Sequence, residues 1–411
     1  MAENIIQKTG KLPYAWVIAI VGALAVFCGL GLARFAFGMM LPSMSASLEL
    51  NHSQGGLLGF ANMAGYVIAV AISPLVLSHL GTRVSATSSL LLIAASMLAM
   101  AATSSLPILC ALYLLTGIGS GGVVLPMMSV MSQWFYSSHR GLALGLVMSG
   151  PGFGIILSGF IVPKLVAIDG LLSWQLGWLI FAVLNIIVAL LVFVLIRNHP
   201  SEVAQIPFGR APQPPLNNQQ KPQSSKFKLL LHLGLIFAIY GVTYMIYVTF
   251  IVTSMIENYQ LSEASAGQLW ALFGLLSIFS GILFGWISDK VGRRLGLALA
   301  FAALAIAFGL VGFTHWQFGL YLSVILFGLS AWSVAVIMGA SAGDYFGPAV
   351  AANALAALTF AFSTGQAAGP VIAGYLAQLS GDFSISYAGA ALAALVAIGL
   401  ALLLRPRASI S

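Results

Sequence analysis

Arg34 stands where charge is expensive. The stretch GLARFAFGMMLP, residues 31–42, places it among small and apolar neighbours. A guanidinium is a planar fork of donors that grips a carboxylate through two parallel hydrogen bonds. The chemistry to expect of Arg34 is therefore anion capture. A second set is Tyr240, Tyr244 and Tyr247, which share one face of a helix at i, i+4 and i+7 and are expected to face a cavity. Asn62, Tyr66, Tyr113, Trp270, Trp332 and Gln366 are further polar-tipped or aromatic candidates for lining it. A third set is GWISDKVGRR, residues 285–294, where Asp289 is followed by Lys290, Arg293 and Arg294. Paired carboxylates, metal-spaced His/Cys clusters and phosphate loops are missing from the sequence. No enzymatic activity, metal or cofactor is expected.

The elements that must hold these residues follow from composition. Of the 411 residues, 60% are hydrophobic and 6% charged, against about 25% charged in soluble domains. So little charge cannot cover a water-facing surface, and the chain reads as an all-α integral membrane protein. Residues 1–13 lack the apolar core and cleavage site of a signal peptide, so the first apolar segment is expected to be retained. Cys28 and Cys110 fall inside apolar runs and imply no disulfide framework.

A helix crossing about 30 Å of hydrocarbon needs roughly 20 apolar residues. Apolar runs predict spans near 14–41, 54–77, 85–103, 107–132, 141–166 and 175–197, then 228–256, 264–287, 295–314, 317–340, 351–377 and 385–404. That is twelve, in two bundles of six: 1–197 and 228–411. The Pro-, Gln- and Asn-rich stretch 198–227 reads as a flexible cytoplasmic linker. With both termini inside, all but Arg34 and Lys164 of the 16 basic residues fall on the inner side, as the positive-inside rule requires. Much of the +7 net charge is thus topology, not a nucleic-acid surface.

The halves also repeat. SHLGTR (78–83) matches SDKVGR (288–293), QWF (133–135) matches DYF (344–346), and the glycines Gly150, Gly154 and Gly159 match Gly365, Gly369 and Gly374. The three offsets nearly agree, which indicates homologous halves, and paired halves are the architecture of secondary transporters. The repeated glycines, with Pro151, are expected to let helices approach closely.

On these residues the whole chain resembles the major facilitator superfamily. GWISDKVGRR resembles its loop motif, while the first-half copy, LSHLGTRV, is degenerate, with His79 read at the position of the acid. The resemblance implies that Asp289, Lys290, Gly292, Arg293 and Arg294, with Arg83 and Arg140 in the first half, latch the outward-facing state. HRGLALGLVMSGPGFG (139–154) is similar to the fifth span of monocarboxylate and oxalate/formate carriers, and also to the G-P-x-x-G element of antiporters. The spacing Arg34 to Pro42 resembles the first helix of organophosphate/phosphate antiporters. In those proteins this arginine holds the substrate anion.

The departures narrow the substrate. The second arginine of those antiporters, in the seventh span, has no counterpart here, and the eighth span lacks the arginine of oxalate/formate carriers. One fixed cation suits a small organic monoanion such as a carboxylate. The alternatives for Arg34 are snorkelling to the outer headgroups or pairing with Glu49 or Glu257. No span has Asp or Glu at its middle, so a proton would travel on the substrate, or transport is uniport or exchange. The expectation is a monomeric inner-membrane transporter of a small organic anion. The alternative is an efflux pump for neutral, hydrophobic compounds.

Overall fold

The computed structural model describes residues 13–169, 173–209, 226–347 and 350–404. The middle of the expected linker and the terminal residues Lys8, Lys11, Arg405 and Arg407 lie outside these. Among the described residues, 11 helices are long and apolar enough to cross a membrane. Apolar runs become helices here because a helix satisfies its own backbone donors and acceptors where no water is available.

We label them in chain order. The first is α1 (Tyr14–Leu48). His52–Ala101 follows as two helices that meet at Gly81, which is not helical (φ 68°, ψ 172°). These, 52–80 and 82–101, are α2 and α3. Then come α4 (Leu106–Trp134), α5 (Ser138–Ile168), α6 (Ser173–Leu195), α7 (Phe227–Glu257), α8 (Glu263–Val291), α9 (Arg293–Gly312), α10 (Gln317–Phe346), α11 (Asn353–Ser380) and α12 (Ser384–Leu402).

The helices gather into two compact units. The first is Met1–Phe37, Ala64–Gly154 and Trp174–Gln219, and the second is Gly38–Met63, Ile155–Ser173 and Gln220–Ser411. Within the first, α1 packs on α4 and α5 through glycine. A methyl at Gly150 would meet the Ala23 carbonyl at 2.6 Å and the Phe27 nitrogen at 2.7 Å. Within the second, the same device joins α7 to α11, where a methyl at Gly369 would meet the Val242 carbonyl at 2.5 Å, and Gly365 lies against Ala238. Close backbone approach suits membrane helices, because lipid removes the hydrophobic drive to associate and leaves van der Waals contact to do it.

The segment after α6 is docked on the first unit, which composition did not suggest. The Phe208 nitrogen donates to the Trp134 carbonyl (2.8 Å) and the Tyr136 nitrogen to the Phe208 carbonyl (2.9 Å).

Candidate functional site

The middle of α1 is not an α-helix. Phe27–Phe35 is a nine-residue π-helix. The Ala36 N–H donates to the carbonyl of Gly31, five residues back. Such wide turns are rare and recur at functional sites. The sequence allows one here because Gly29 and Gly31 leave the backbone uncovered on the side facing α4 and α5. A methyl at Gly31 would stand 2.8 Å from the Gly154 Cα. The Gly150-Pro151-Gly154 element of α5 thus has a packing job, to make room for the widened helix.

Arg34 lies at the end of this turn and is 6% exposed. Its guanidinium carbon sits 5.1 Å from the centre of the Tyr66 ring and 5.3 Å from that of Phe35. Cation–π contact at this range is worth about 0.5–2 kcal/mol, most when water is excluded. On α4, the Tyr113 hydroxyl donates to the Arg34 carbonyl over a long 3.4 Å. Behind Tyr113 stand Phe37, with ring centres 4.9 Å apart, and Trp178 of α6, 5.8 Å away. The first unit therefore gathers Tyr66 and Tyr113 around Arg34 in one buried aromatic cluster. Trp178 was missed in the sequence because nothing in a tryptophan at a helix start marks its distant neighbour.

Glu257, considered above as a partner for Arg34, lies 3.9 Å from His52 in the second unit.

The second unit holds Tyr240, Tyr244, Tyr247 and Trp332. The three tyrosines line up as their spacing requires, each almost fully buried. Their rings pack on other rings: Tyr240 is 5.5 Å from Tyr244, Tyr244 is 5.6 Å from Trp332, and Tyr247 stacks on Phe327 at 3.9 Å. Tyr240 donates to the Ala331 carbonyl, at the break between the two helical parts of α10. Tyr247 and Ser323 share a 2.9 Å hydrogen bond.

Asn62 and Gln366 are buried in this unit too, and the Gln366 Oε1 meets no hydrogen-bond donor among the described residues. Trp270 donates to the Ser158 hydroxyl at 3.1 Å.

The loop motif forms an ion-pair cluster. Arg293 donates through Nε to Asp344 at 2.7 Å and through Nη1 to Asp289 at 2.6 Å. It also reaches Ser288 at 3.0 Å. Gly292 takes φ 87°, which favours glycine, and starts the next helix. A cavity of about 450 Å³ opens here, lined by Ser288, Asp289, Arg293, Arg294 and Asp344 among others. Lys290 lies 3.9 Å over the Trp286 ring.

The first-half copy differs in register from the sequence reading. Gly81 (φ 68°, ψ 172°) has the conformation of Gly292 (φ 87°, ψ 160°). Matching the two glycines puts Ser78, not His79, opposite Asp289, and Arg83 opposite Arg294. Arg83 donates to the Phe193 carbonyl at 2.5 Å, and Arg140 is exposed.

A family model described as "Uncharacterised MFS-type transporter YbfB" matches residues 26–402. The chain is 24% identical to the 4-hydroxybenzoate transporter PcaK of Acinetobacter baylyi, over 76% of this chain and 73% of that one. It is 20% identical to the hexuronate transporter of Bacillus subtilis, over 91% and 90%. A solved bacterial homologue of the human lysosomal transporter Spinster, inward-facing and unoccupied, superposes with a TM-score of 0.74 at 15% identity, over 96% and 97% of the chains. The folds are thus alike, and with the family match running through nearly all of its helices, the chain belongs to the YbfB-type family of the major facilitator superfamily, membrane transporters and not enzymes.

Proposed function

We propose that the protein carries a small organic monoanion, a carboxylate, across the membrane by alternating access, with Arg34 as the anchor of the anion. The observation that carries this reading is the burial of Arg34 among aromatic rings. A guanidinium inside a membrane-spanning helix costs about 2.5–3.5 kcal/mol by insertion scales, and such residues mark substrate paths. This one is set on a π-turn with Tyr66 and Phe35 against its charge.

The aromatic walls favour a substrate with a flat apolar body behind its carboxylate. The named substrates of two relatives, 4-hydroxybenzoate and hexuronate, each carry one carboxylate and support the same class. The break at Gly81 supports twelve membrane crossings with both termini on the inner side. The resemblance of Gly150, Pro151 and Gly154 to the G-P-x-x-G element of antiporters adds nothing to the alternative, a pump of neutral compounds, because the contacts of these residues with α1 have a packing explanation. Asp289, Arg293 and Asp344 serve as a conformational latch in this reading. The transporter acts as a monomer in the inner membrane, and any coupled proton travels on the substrate.

Uptake into proteoliposomes tests the class. Labelled benzoate or glucuronate should enter faster than into protein-free liposomes, and a dicarboxylate or a neutral amide should not compete. Competition by the amide equal to that by the acid would refute the monoanion reading.

A further inference from the structure

The two loop motifs match in backbone and differ in chemistry. In the second half, Arg293 holds two carboxylates, Asp289 and Asp344. With Gly81 set on Gly292, the corresponding residues of the first half are Thr82, Ser78 and Gln133. All three are neutral, so the ionic cluster has no counterpart. Ser78 turns back on its own helix, donating to the Leu75 carbonyl at 2.8 Å. The Gln133 Oε1 is buried and takes no hydrogen bond from the described residues.

Another part of the chain occupies this end of the first unit. Asn198, just past α6, accepts from the Arg83 backbone nitrogen at 3.0 Å, and its amide lies 3.1 Å from where a Gly81 methyl would stand. Beside it the Arg83 guanidinium covers the Phe193 ring at 4.4 Å. The Arg197 carbonyl accepts from the Trp134 indole at 2.9 Å. Ten residues after Asn198, Phe208 bridges Trp134 and Tyr136 through its backbone and sets its ring 5.1 Å from His139, 5.9 Å from Trp16 and 6.1 Å from Phe135. Gly209 takes φ 114° against Ser138 and His139, so the chain leaves this dock by a turn that only glycine makes cheaply.

We infer that residues 198–209 are a strap that replaces the ionic latch in the first half. Asn198 clasps the loop between α2 and α3, and Phe208 anchors the strap across the ends of α1, α4 and α5. The strap is neutral where the second-half cluster is charged, and it is also the start of the chain that joins the two halves.

Hydrogen–deuterium exchange on the detergent-purified protein tests this in two arms. In the first, Phe208→Ala removes the distant anchor without touching the loop. Amides of 81–87 should then exchange about fivefold faster, as on loss of one hydrogen bond, along with those of 134–139. Faster exchange at 134–139 alone would reduce Asn198 to a local cap and overturn the strap. The second arm uses the wild type. Raising salt from about 0.1 M to 1 M shortens the screening length from about 10 Å to 3 Å. Exchange at 288–296 should rise while that at 81–87 holds steady. An equal rise in both would show that the first-half loop is held by charge, and would equally overturn the inference.

Discussion

The contact between α1 and α5 sets the position of Arg34, and one methyl group tests it. An alanine at Gly31 would place its Cβ 2.8 Å from the Gly154 Cα and 3.3 Å from both the Gly154 nitrogen and the Pro151 carbonyl. Ordinary contact begins near 3.4 Å, so the two backbones must part by roughly 0.6 Å. Neither partner is the yielding end of a side chain. Overpacking of this kind costs about 1–3 kcal/mol, which exceeds the roughly 0.5–1 kcal/mol that Gly→Ala gains in a helix. The matched control is Gly145→Ala in α5, where nothing stands within 4 Å of the added methyl. Thermal unfolding in detergent at one scan rate should show a lower apparent Tm for Gly31→Ala than for wild type, and an unchanged or higher one for Gly145→Ala. The displaced Arg34 should also weaken anion binding in Gly31→Ala alone. If Gly31→Ala melted with or above the control and bound anion as wild type, the close approach of α1 to α5 would not govern the site.

Other changes follow from single contacts. Tyr66→Leu removes the ring 5.1 Å from the Arg34 charge and should weaken monocarboxylate binding about 3- to 10-fold, with Tyr66→Phe close to wild type, because the ring face is the partner. Asp344→Asn takes one of two carboxylates from Arg293; its Tm should fall below wild type at low salt, and the gap should narrow near 1 M salt. Trp270→Phe deletes the 3.1 Å bond to Ser158 and should cost about 1 kcal/mol. Adding Ser158→Ala to it should cost little more in thermal unfolding, since the two share one interaction.

How much of this was legible in the sequence depended on whether a residue's meaning is local. The helices were, because a run of 20 apolar residues carries its own reason to be helical. So was the anomaly of Arg34, one cation inside an apolar run. The π-turn beneath it was not, since α- and π-helices draw on the same residues and the turn depends on how closely α4 and α5 approach Gly29 and Gly31. The tyrosine periodicity puts Tyr240, Tyr244 and Tyr247 on one face and led to the expectation of a cavity there, whereas their buried rings meet Phe327, Trp332 and Ser323 of α10, neighbours that periodicity does not reveal. The first-half loop was read one residue out of register. Sequence spacing favoured Arg83 against Arg293, whereas the backbone of Gly81 against that of Gly292 decides it. Residues 198–209 looked flexible by composition, and their order comes from the partners of Asn198 and Phe208, more than a hundred residues and some seventy residues away in the chain, respectively.

The measurement that bears most directly on the central claim is ligand-induced thermal stabilisation of wild type and Arg34→Ala, with benzoate, glucuronate and the neutral analogue benzamide. At least one of the two acids should stabilise the wild type, benzamide should not, and Arg34→Ala, still melting cooperatively, should lose the response. Equal stabilisation of both proteins by the acids, or stabilisation of the wild type by benzamide alone, would contradict the claim.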